Sequence, residues 1–594
     1  MTIAERSRKG GAFLIEETRA DEVFTPEDFS EEQRQLADTI EHFVAREVLP
    51  NAERIENHDF ALVASLLKRA GELGLLMIDV PEEYGGLDLD KGTSALVAEK
   101  ISVYGGFACA FVTHTGIGTI PLVYYGTKAQ REKYLGRIIT GDLITAYCLT
   151  EPDSGSDALG AKTSAVLSAD GREYVLNGTK QFITNGGIAG LYTVFAKIDR
   201  ERFTAFLVER SFPGVTAGPE EKKLGIRGSS TTPVVLEDAR VPVENVLGEE
   251  GKGHKIAFNI LNIGRFKLGA AVTGSAKAAF AEGARYANAR RQFGVPIATF
   301  GAIREKIADG VADIFRSESI VYRVAGLLDR RLETIEKGTP DYYGIYQKGI
   351  EEYAAECAIA KVYCSEALSR ISNEALQIHG GYGFIQEYPV ERFYRDARIN
   401  PIYEGTNEIN RLLISGTLLK RGMKGEIDLM PGLMKASEIL MAGVPDPPKG
   451  AGPFAAEHAL LANLKSVFLA VAGSAVRKHM ERLRDEQEIL MALADTVIEI
   501  FALESVVLRA GKTATASTGT LAEPMAAAVK VCACQGAAAV SRAATRAAAY
   551  TEEGKRLAGL VGRIESFCRY DPSGLLAAKR TLAAAALEAE RYIF

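Results

Sequence analysis

The sequence predicts a mainly α protein with one central β-barrel domain, and three textures along the chain carry that reading. Apolar residues recur at helical spacing before about residue 140 and again from Gly253 to about Lys424. Between Leu143 and Glu250 about eight short apolar runs follow one another, each bounded by Gly, Asp, Asn or Pro. Residues 455–594 are rich in Ala and Leu, both strong helix formers, and show no strand texture.

The elements follow in order. Residues 1–27 read as an arm and 28–143 as a helical domain. Its start is marked by Thr25-Pro26-Glu27 and Ser30-Glu31-Glu32, where carboxylates suit a helix N-terminus. The turn-rich stretch Pro81 to Leu89 interrupts it, and Lys128 to Leu135 resumes the helix. Residues 144–251 hold runs such as Tyr192 to Phe195 and Thr204 to Val208, whose close spacing suits a barrel. Residues 252–424 read as a helical bundle. The segment 425–454 carries Pro431, Pro445, Pro447, Pro448 and Pro453 and reads as a linker. A further helical domain, 455–594, completes the chain.

Composition narrows the function. The formal net charge of −7 argues against a general nucleic-acid binder, which needs a basic surface. No run approaches the roughly 20 apolar residues that span a bilayer. Glu5, Glu16, Glu17, Asp21 and Glu22 make the start unlike an acid-poor transit peptide, so a cytoplasmic protein is expected. The seven cysteines (Cys109, Cys148, Cys357, Cys364, Cys532, Cys534, Cys568) and the scattered histidines show no zinc spacing, so no metal is expected. No GxGxxG lies between a strand and a helix, and Gly248 to Gly253 lacks the spacing of a phosphate loop and reads as a strand-to-helix connection.

Three distant segments carry polar and glycine-rich groups able to hold a ring system or phosphates: Tyr147 to Asp157 (YCLTEPDSGSD), Gln181 to Gly187 (QFITNGG) and Ile402 to Glu408 (IYEGTNE). Taken singly, each reads more readily as turn chemistry. Together with RRQFG and QIHGGYGF, in sequence order, they resemble the hallmark segments of the acyl-CoA dehydrogenases. The helical tail, GTKAQREKYL and LNIGRF resemble the very-long-chain branch of that family.

The resemblance implies FAD held between the β-domain and the bundle. It places the flavin near Tyr147, Leu149 and Thr150, with Ser156 serving cofactor or thioester. Phe182 stands where the family commonly has Trp, and the chain contains no Trp. Thr184 is placed near flavin N5, Arg290, Gln292 and Phe293 near the FAD of a second subunit, Gln377, Gly380 and Gly381 near its adenosine half, and Thr406 and Glu408 at the closing edge. A homo-oligomer is implied, a dimer in preference to a tetramer, as is an electron-transferring flavoprotein as electron acceptor.

Dehydrogenation of an acyl-CoA needs a base for the α-proton, and the resemblance assigns it to Glu404, with Gly405 allowing close approach of the ligand. The family's alternative base position falls on Gly264, which has no carboxylate. Asn262 and Arg265 then contact the CoA end of the substrate or support the base. Ala108, Cys109, Ala110 and Thr113 are expected at the floor of the acyl pocket. Leu433, Met434, Ile439, Leu440 and Met441, with Lys435 nearby, offer an amphipathic stretch for peripheral membrane contact at the inner face or for packing on the tail. Two rival functions remain: an acyl-CoA oxidase-like flavoenzyme and a non-enzymatic assembly factor using the tail.

Overall fold

The structure is a computed structural model and describes residues 8–445, 452–516 and 521–594. Glu5, Pro447 and Pro448 lie outside the described residues. Helices α1 (Glu31–Phe43), α2 (Ala52–Glu56), α3 (Phe60–Glu72), α4 (Lys91–Ile101), α5 (Gly105–Thr113), α6 (Ile120–Tyr125) and α7 (Lys128–Ile139) precede the sheet. Ser30 caps α1 by accepting from Gln33 N, and the Gln33 side chain returns to Ser30 N. Thr127 and Gln130 repeat this reciprocal cap on α7. Between α5 and α6 the chain forms a π-turn over His114–Gly118, in which Gly116 leaves helical geometry.

Strands β1 (Thr145–Cys148), β2 (Ser164–Leu167), β3 (Glu173–Thr184), β4 (Leu191–Ile198), β5 (Arg202–Glu209), β6 (Val215–Ala217), β7 (Thr231–Pro242) and β8 (Val246–Leu247) follow. They form one sheet in the order β6-β7-β3-β2-β4-β5-β8, with β1 running parallel to β4. The expected barrel is not found: β6 and β8 do not pair, and the sheet is open. Short runs with turns announce the number of strands but not closure, and these two edge strands are only 3 and 2 residues long. On β3 the register slips between Lys180 and Ile183, releasing Gln181 and Phe182 from the ladder, and Phe182 takes φ 59°.

The second helical block comprises α8 (Gly253–Ala289), a hairpin of β9 (Arg291–Gln292) and β10 (Val295–Pro296), α9 (Gly301–Leu332), α10 (Tyr342–Glu351), α11 (Ala354–His379), α12 (Val390–Ala397) and α13 (Asn407–Met423). Gly248 to Gly253 is the β8-to-α8 connection, as expected. The tail holds α14 (Leu429–Ala442), α15 (Ala455–His479), α16 (Gln487–Ala516), α17 (Ala522–Thr551), α18 (Gly554–Phe567) and α19 (Leu575–Ala589). Helix α14 lies inside the stretch read as a linker. Pro431 sits in its first turn, where backbone N–H groups have no intrahelical partner, so the proline does not break it.

Ion pairs buried between tail and core join the two. Arg509 on α16 meets Glu27 at 2.7 Å and Glu318 on α9 at 2.6 Å. Glu318 also takes Lys277 and the Tyr592 hydroxyl, and Arg323 meets Glu504 at 2.6 Å. The expectation about apolar runs is corrected: Gly105–Tyr125, Ala455–Asp485 and Ala522–Thr551 are long and apolar enough, by length and composition, to cross a membrane. Ala, Gly and Cys give these segments an apolar average without an unbroken run. Between 56% and 72% of each apolar window is buried within the molecule.

Candidate active site

A cavity of about 290 Å³ opens where the π-turn, the sheet, α8 and the α12–α13 loop meet. The loop after α12 carries Glu404 at φ 57° and Gly405 at φ 81°, two consecutive left-handed residues. Glycine adopts that geometry freely, whereas glutamate is strained in it and must be held there. The hold is visible. Arg265 Nε donates to the Glu404 carbonyl at 3.3 Å, while Lys361 Nζ and Asn410 Nδ2 donate to the Gly405 carbonyl at 2.8 and 2.7 Å. Lys361 also reaches Asn407 Oδ1 at 2.7 Å, and Thr406 caps α13.

The carboxylate itself is left without such partners. Glu404 Oε2 is sealed from solvent and accepts no hydrogen bond. Burial pushes its pKa up to about 7, and the Arg265 and Lys361 charges offset this only in part. Gly264 lies directly against it. A methyl group on Gly264 would collide with Glu404 Oε2 and stand 2.9 Å from Cδ, so the missing side chain is what gives the carboxylate its place.

The cavity brings together Tyr147, Leu149, Thr150, Ser156, Phe182 and Thr184 from the sheet side with Arg265, Glu404 and Gly405 from the helical side. The three motif segments are cross-tied. Gln181 N donates to the Thr150 carbonyl at 2.8 Å, and buried Asn185 donates to the carbonyls of Ala110 and Thr145 at 3.0 and 3.4 Å. Ala108, Cys109 and Thr113 line the wall, but Ala110 does not; its carbonyl is taken by Asn185. Asn262 and Arg265 are 5% and 4% exposed and bonded to each other at 2.9 Å, which fits support of the base rather than contact with a solvent-side CoA group. Arg265 forms no ion pair among the described residues.

Other predicted residues lie elsewhere. Arg290, Gln292, Gly380 and Gly381 line a separate open cleft beside Tyr382, and Phe293 is 92% exposed. Gln377 is exposed on the last turn of α11. Glu408 is exposed in the first turn of α13, and Thr406 serves as its cap; neither lines the main cavity.

Comparison with known proteins decides the family. Profiles described as the acyl-CoA dehydrogenase N-terminal, middle and C-terminal domains match residues 30–142, 146–239 and 251–419, and a further C-terminal domain profile matches 463–562. A probable acyl-CoA dehydrogenase of Bacillus subtilis (strain 168) is 46% identical over 98% of both chains. The chain belongs to the acyl-CoA dehydrogenase family. The mitochondrial very long-chain specific acyl-CoA dehydrogenase of Mus musculus is 37% identical over 83% of this chain and 77% of its own. The crystal structure of an acyl-CoA dehydrogenase complexed with FAD from Bacillus anthracis superposes with a TM-score of 0.97, at 48% identity, covering 99% of this chain and 100% of that one.

The residues present fit a flavin. A phenylalanine 63% exposed at positive φ faces the cavity from β3, as a ring-covering side chain should, and the hydroxyls of Thr150, Thr184 and Ser156 share that wall. Sequence reasoning about this acyl-CoA dehydrogenase missed Lys361 and Asn410. The available signal was a lysine in the apolar run between Cys357 and Cys364, a position where an unpaired charge is unfavourable.

Proposed function

We propose that this chain dehydrogenates a long-chain fatty acyl-CoA between its α and β carbons, giving the trans-2-enoyl-CoA, with FAD as its cofactor. One observation carries the reading: the Glu404 carboxylate, whose Oε2 is sealed and accepts no hydrogen bond, has a pKa raised to about 7 on the wall of a largely apolar cavity. Such a carboxylate is basic enough to take a proton near neutral pH. Glu404 removes the α-proton of the thioester, and its backbone N–H serves the thioester oxygen. Arg265, Lys361 and Asn410 hold the strained loop so that the carboxylate stays aimed. Tyr147, Leu149, Thr150, Phe182 and Thr184 hold the flavin ring. When bound, FAD supplies the acceptor for the β-hydride.

Three finer readings accompany this one. Long acyl chains are favoured because the chain is 37% identical, over 83% of its length, to a very long-chain specific acyl-CoA dehydrogenase. A homodimer is favoured because Arg290, Gln292, Gly380 and Gly381 sit apart from the Glu404 cavity, on a surface with exposed Phe293 and Phe384. There they serve the FAD of a second copy. Helix α14 buries Leu433, Ala436 and Leu440 against the tail but leaves Met434 and Met441 66% and 72% exposed, an outer face suited to peripheral contact with the inner membrane surface. A cytoplasmic location and reoxidation by an electron-transferring flavoprotein complete the proposal.

The test is optical. The purified yellow protein, mixed anaerobically with palmitoyl-CoA, loses flavin absorbance, and Glu404→Gln keeps its flavin but does not bleach. Bleaching of the variant at the wild-type rate would remove Glu404 as the base, and rapid peroxide release in air would make the protein an oxidase.

A further inference from the structure

The wall of the catalytic cavity carries a charged side chain that the reaction does not use. Lys267, one turn beyond Gly264 on α8, is 4% exposed and lines the cavity. Behind it lies a small void walled by Asp79, Ser94, Phe111 and Thr115; of the residues lining the two spaces, Lys267 alone is shared. Its ammonium donates to Asp79 Oδ2 at 2.6 Å and to the Thr115 carbonyl of the π-turn at 3.3 Å. Lys91 donates to the other Asp79 oxygen, Oδ1, at 2.7 Å, and the Ser94 hydroxyl donates to Oδ2 at 2.8 Å. The lysine stem runs beside Gly116, close enough that a methyl group there would touch Lys267 Cδ at 3.6 Å.

We propose that Lys267 is the acyl-length stop of this enzyme, its methylene stem closing the inner end of the acyl site while Asp79 and Thr115 pin its tip. The proposal rests on the acyl-CoA reading given above. A lysine suits this task because its stem is apolar and can face an alkyl chain while its head stays among polar partners. A leucine or methionine plug can change rotamer to admit another methylene. Lys267 is fixed at Cα and at Nζ, and moving it separates an ion pair buried at both ends. Behind it stand a carboxylate and a second ammonium, where an alkyl terminus would displace hydrogen bonds and gain nothing. Burial pushes the Lys267 pKa down, opposed by Asp79. The same two lysines hold the Asp79 carboxyl well below the usual range although burial works to raise it.

The experiment uses the FAD-loaded full chain and a series of saturated acyl-CoA thioesters of increasing length. The specificity constant is measured for wild type, Lys267→Ala and Lys267→Leu. Binding is measured in parallel with thioesters that carry sulfur at the β position and cannot be dehydrogenated. Asp79 keeps Lys91 and Ser94 in both variants, so no buried charge is stranded. In Lys267→Ala the ratio of activity on chains beyond the wild-type optimum to activity at that optimum rises by about tenfold or more, and binding moves the same way. Lys267→Leu, which is shorter than lysine and unpinned, moves in the same direction by less, and it carries the test if the alanine variant does not fold. Length profiles superimposable on wild type in both readouts overturn the proposal. A wild type that oxidises no acyl-CoA of any length overturns the underlying activity, and the length stop with it.

Discussion

Glu318 is buried and Glu404 half-buried with one carboxylate oxygen sealed, and their surroundings treat them in opposite ways. Burial raises the pKa of each. At Glu318 the Lys277 and Arg509 charges overcome it and hold the carboxyl down at about 2, with the Tyr592 hydroxyl adding a bond at 2.8 Å. At Glu404, Arg265 and Lys361 are aimed mainly at the backbone: they bond the carbonyls of Glu404 and Gly405 and leave Oε2 bare. One carboxylate is satisfied and joins the tail to the core; the other keeps an oxygen without a partner, which suits it to the proposed role of base. The difference lies in what the neighbouring cations bond: the carboxylate itself at Glu318, backbone carbonyls at Glu404.

The contrast can be broken from either side. The largest effect is expected at the base: Glu404→Gln lowers the dehydrogenation rate by about 10³-fold or more while retaining FAD, read by stopped-flow bleaching. At the satisfied carboxylate, Arg509→Met leaves Glu318 and Glu27 short of a partner and lowers unfolding stability by about 3–5 kcal/mol in urea titration. Turnover measured below the transition stays near wild type, which separates a structural role from a chemical one. Gly264→Ala puts a methyl group where the Glu404 carboxylate sits, and a displacement near 1 Å lowers the rate by about 10²-fold with little change in stability. An unchanged rate in that variant would show that the carboxylate does not work from the observed position.

Smaller effects appear against pH. The Glu404 pKa is raised, so its contribution to stability is complete below about 4.5 and is lost as pH rises through about 7. Glu404→Gln is therefore more stable than wild type by about 1–3 kcal/mol at pH 8 but not at pH 4. Glu318 has a depressed pKa, so its contribution is present above about 4.5 and is lost as pH falls toward 2. The smallest shift is kinetic. The specificity constant rises with pH along a limb near 7 as Glu404 ionises, and Lys361→Gln moves that limb to higher pH by removing a charge that lowers the Glu404 pKa.

The order helices, strands, helices was legible because period and turn chemistry are local properties. Closure of the sheet was not, since β6 and β8 carry no signal saying whether distant edges meet. Helix α14 was hidden by Pro431, which reads as a breaker until its place in the first turn is known. At the site, Glu404 and the sheet-side residues were readable from their motifs. Lys361, Asn410 and Lys267 were not, because each acts on atoms far away in sequence: Lys361 Nζ meets a carbonyl 44 residues on, and Lys267 an aspartate 188 residues back. Gly264 was read as an empty base position; the structure places the Glu404 carboxylate against it, in the space a side chain there would take.

If the catalytic carboxylate can sit at either of two positions, the two draw on the same space. A side chain gained at Gly264 while Glu404 remains drives two groups into one volume. Loss of Glu404 first leaves a hole and no base. The two positions share one space, so a change at either alters what the other can hold.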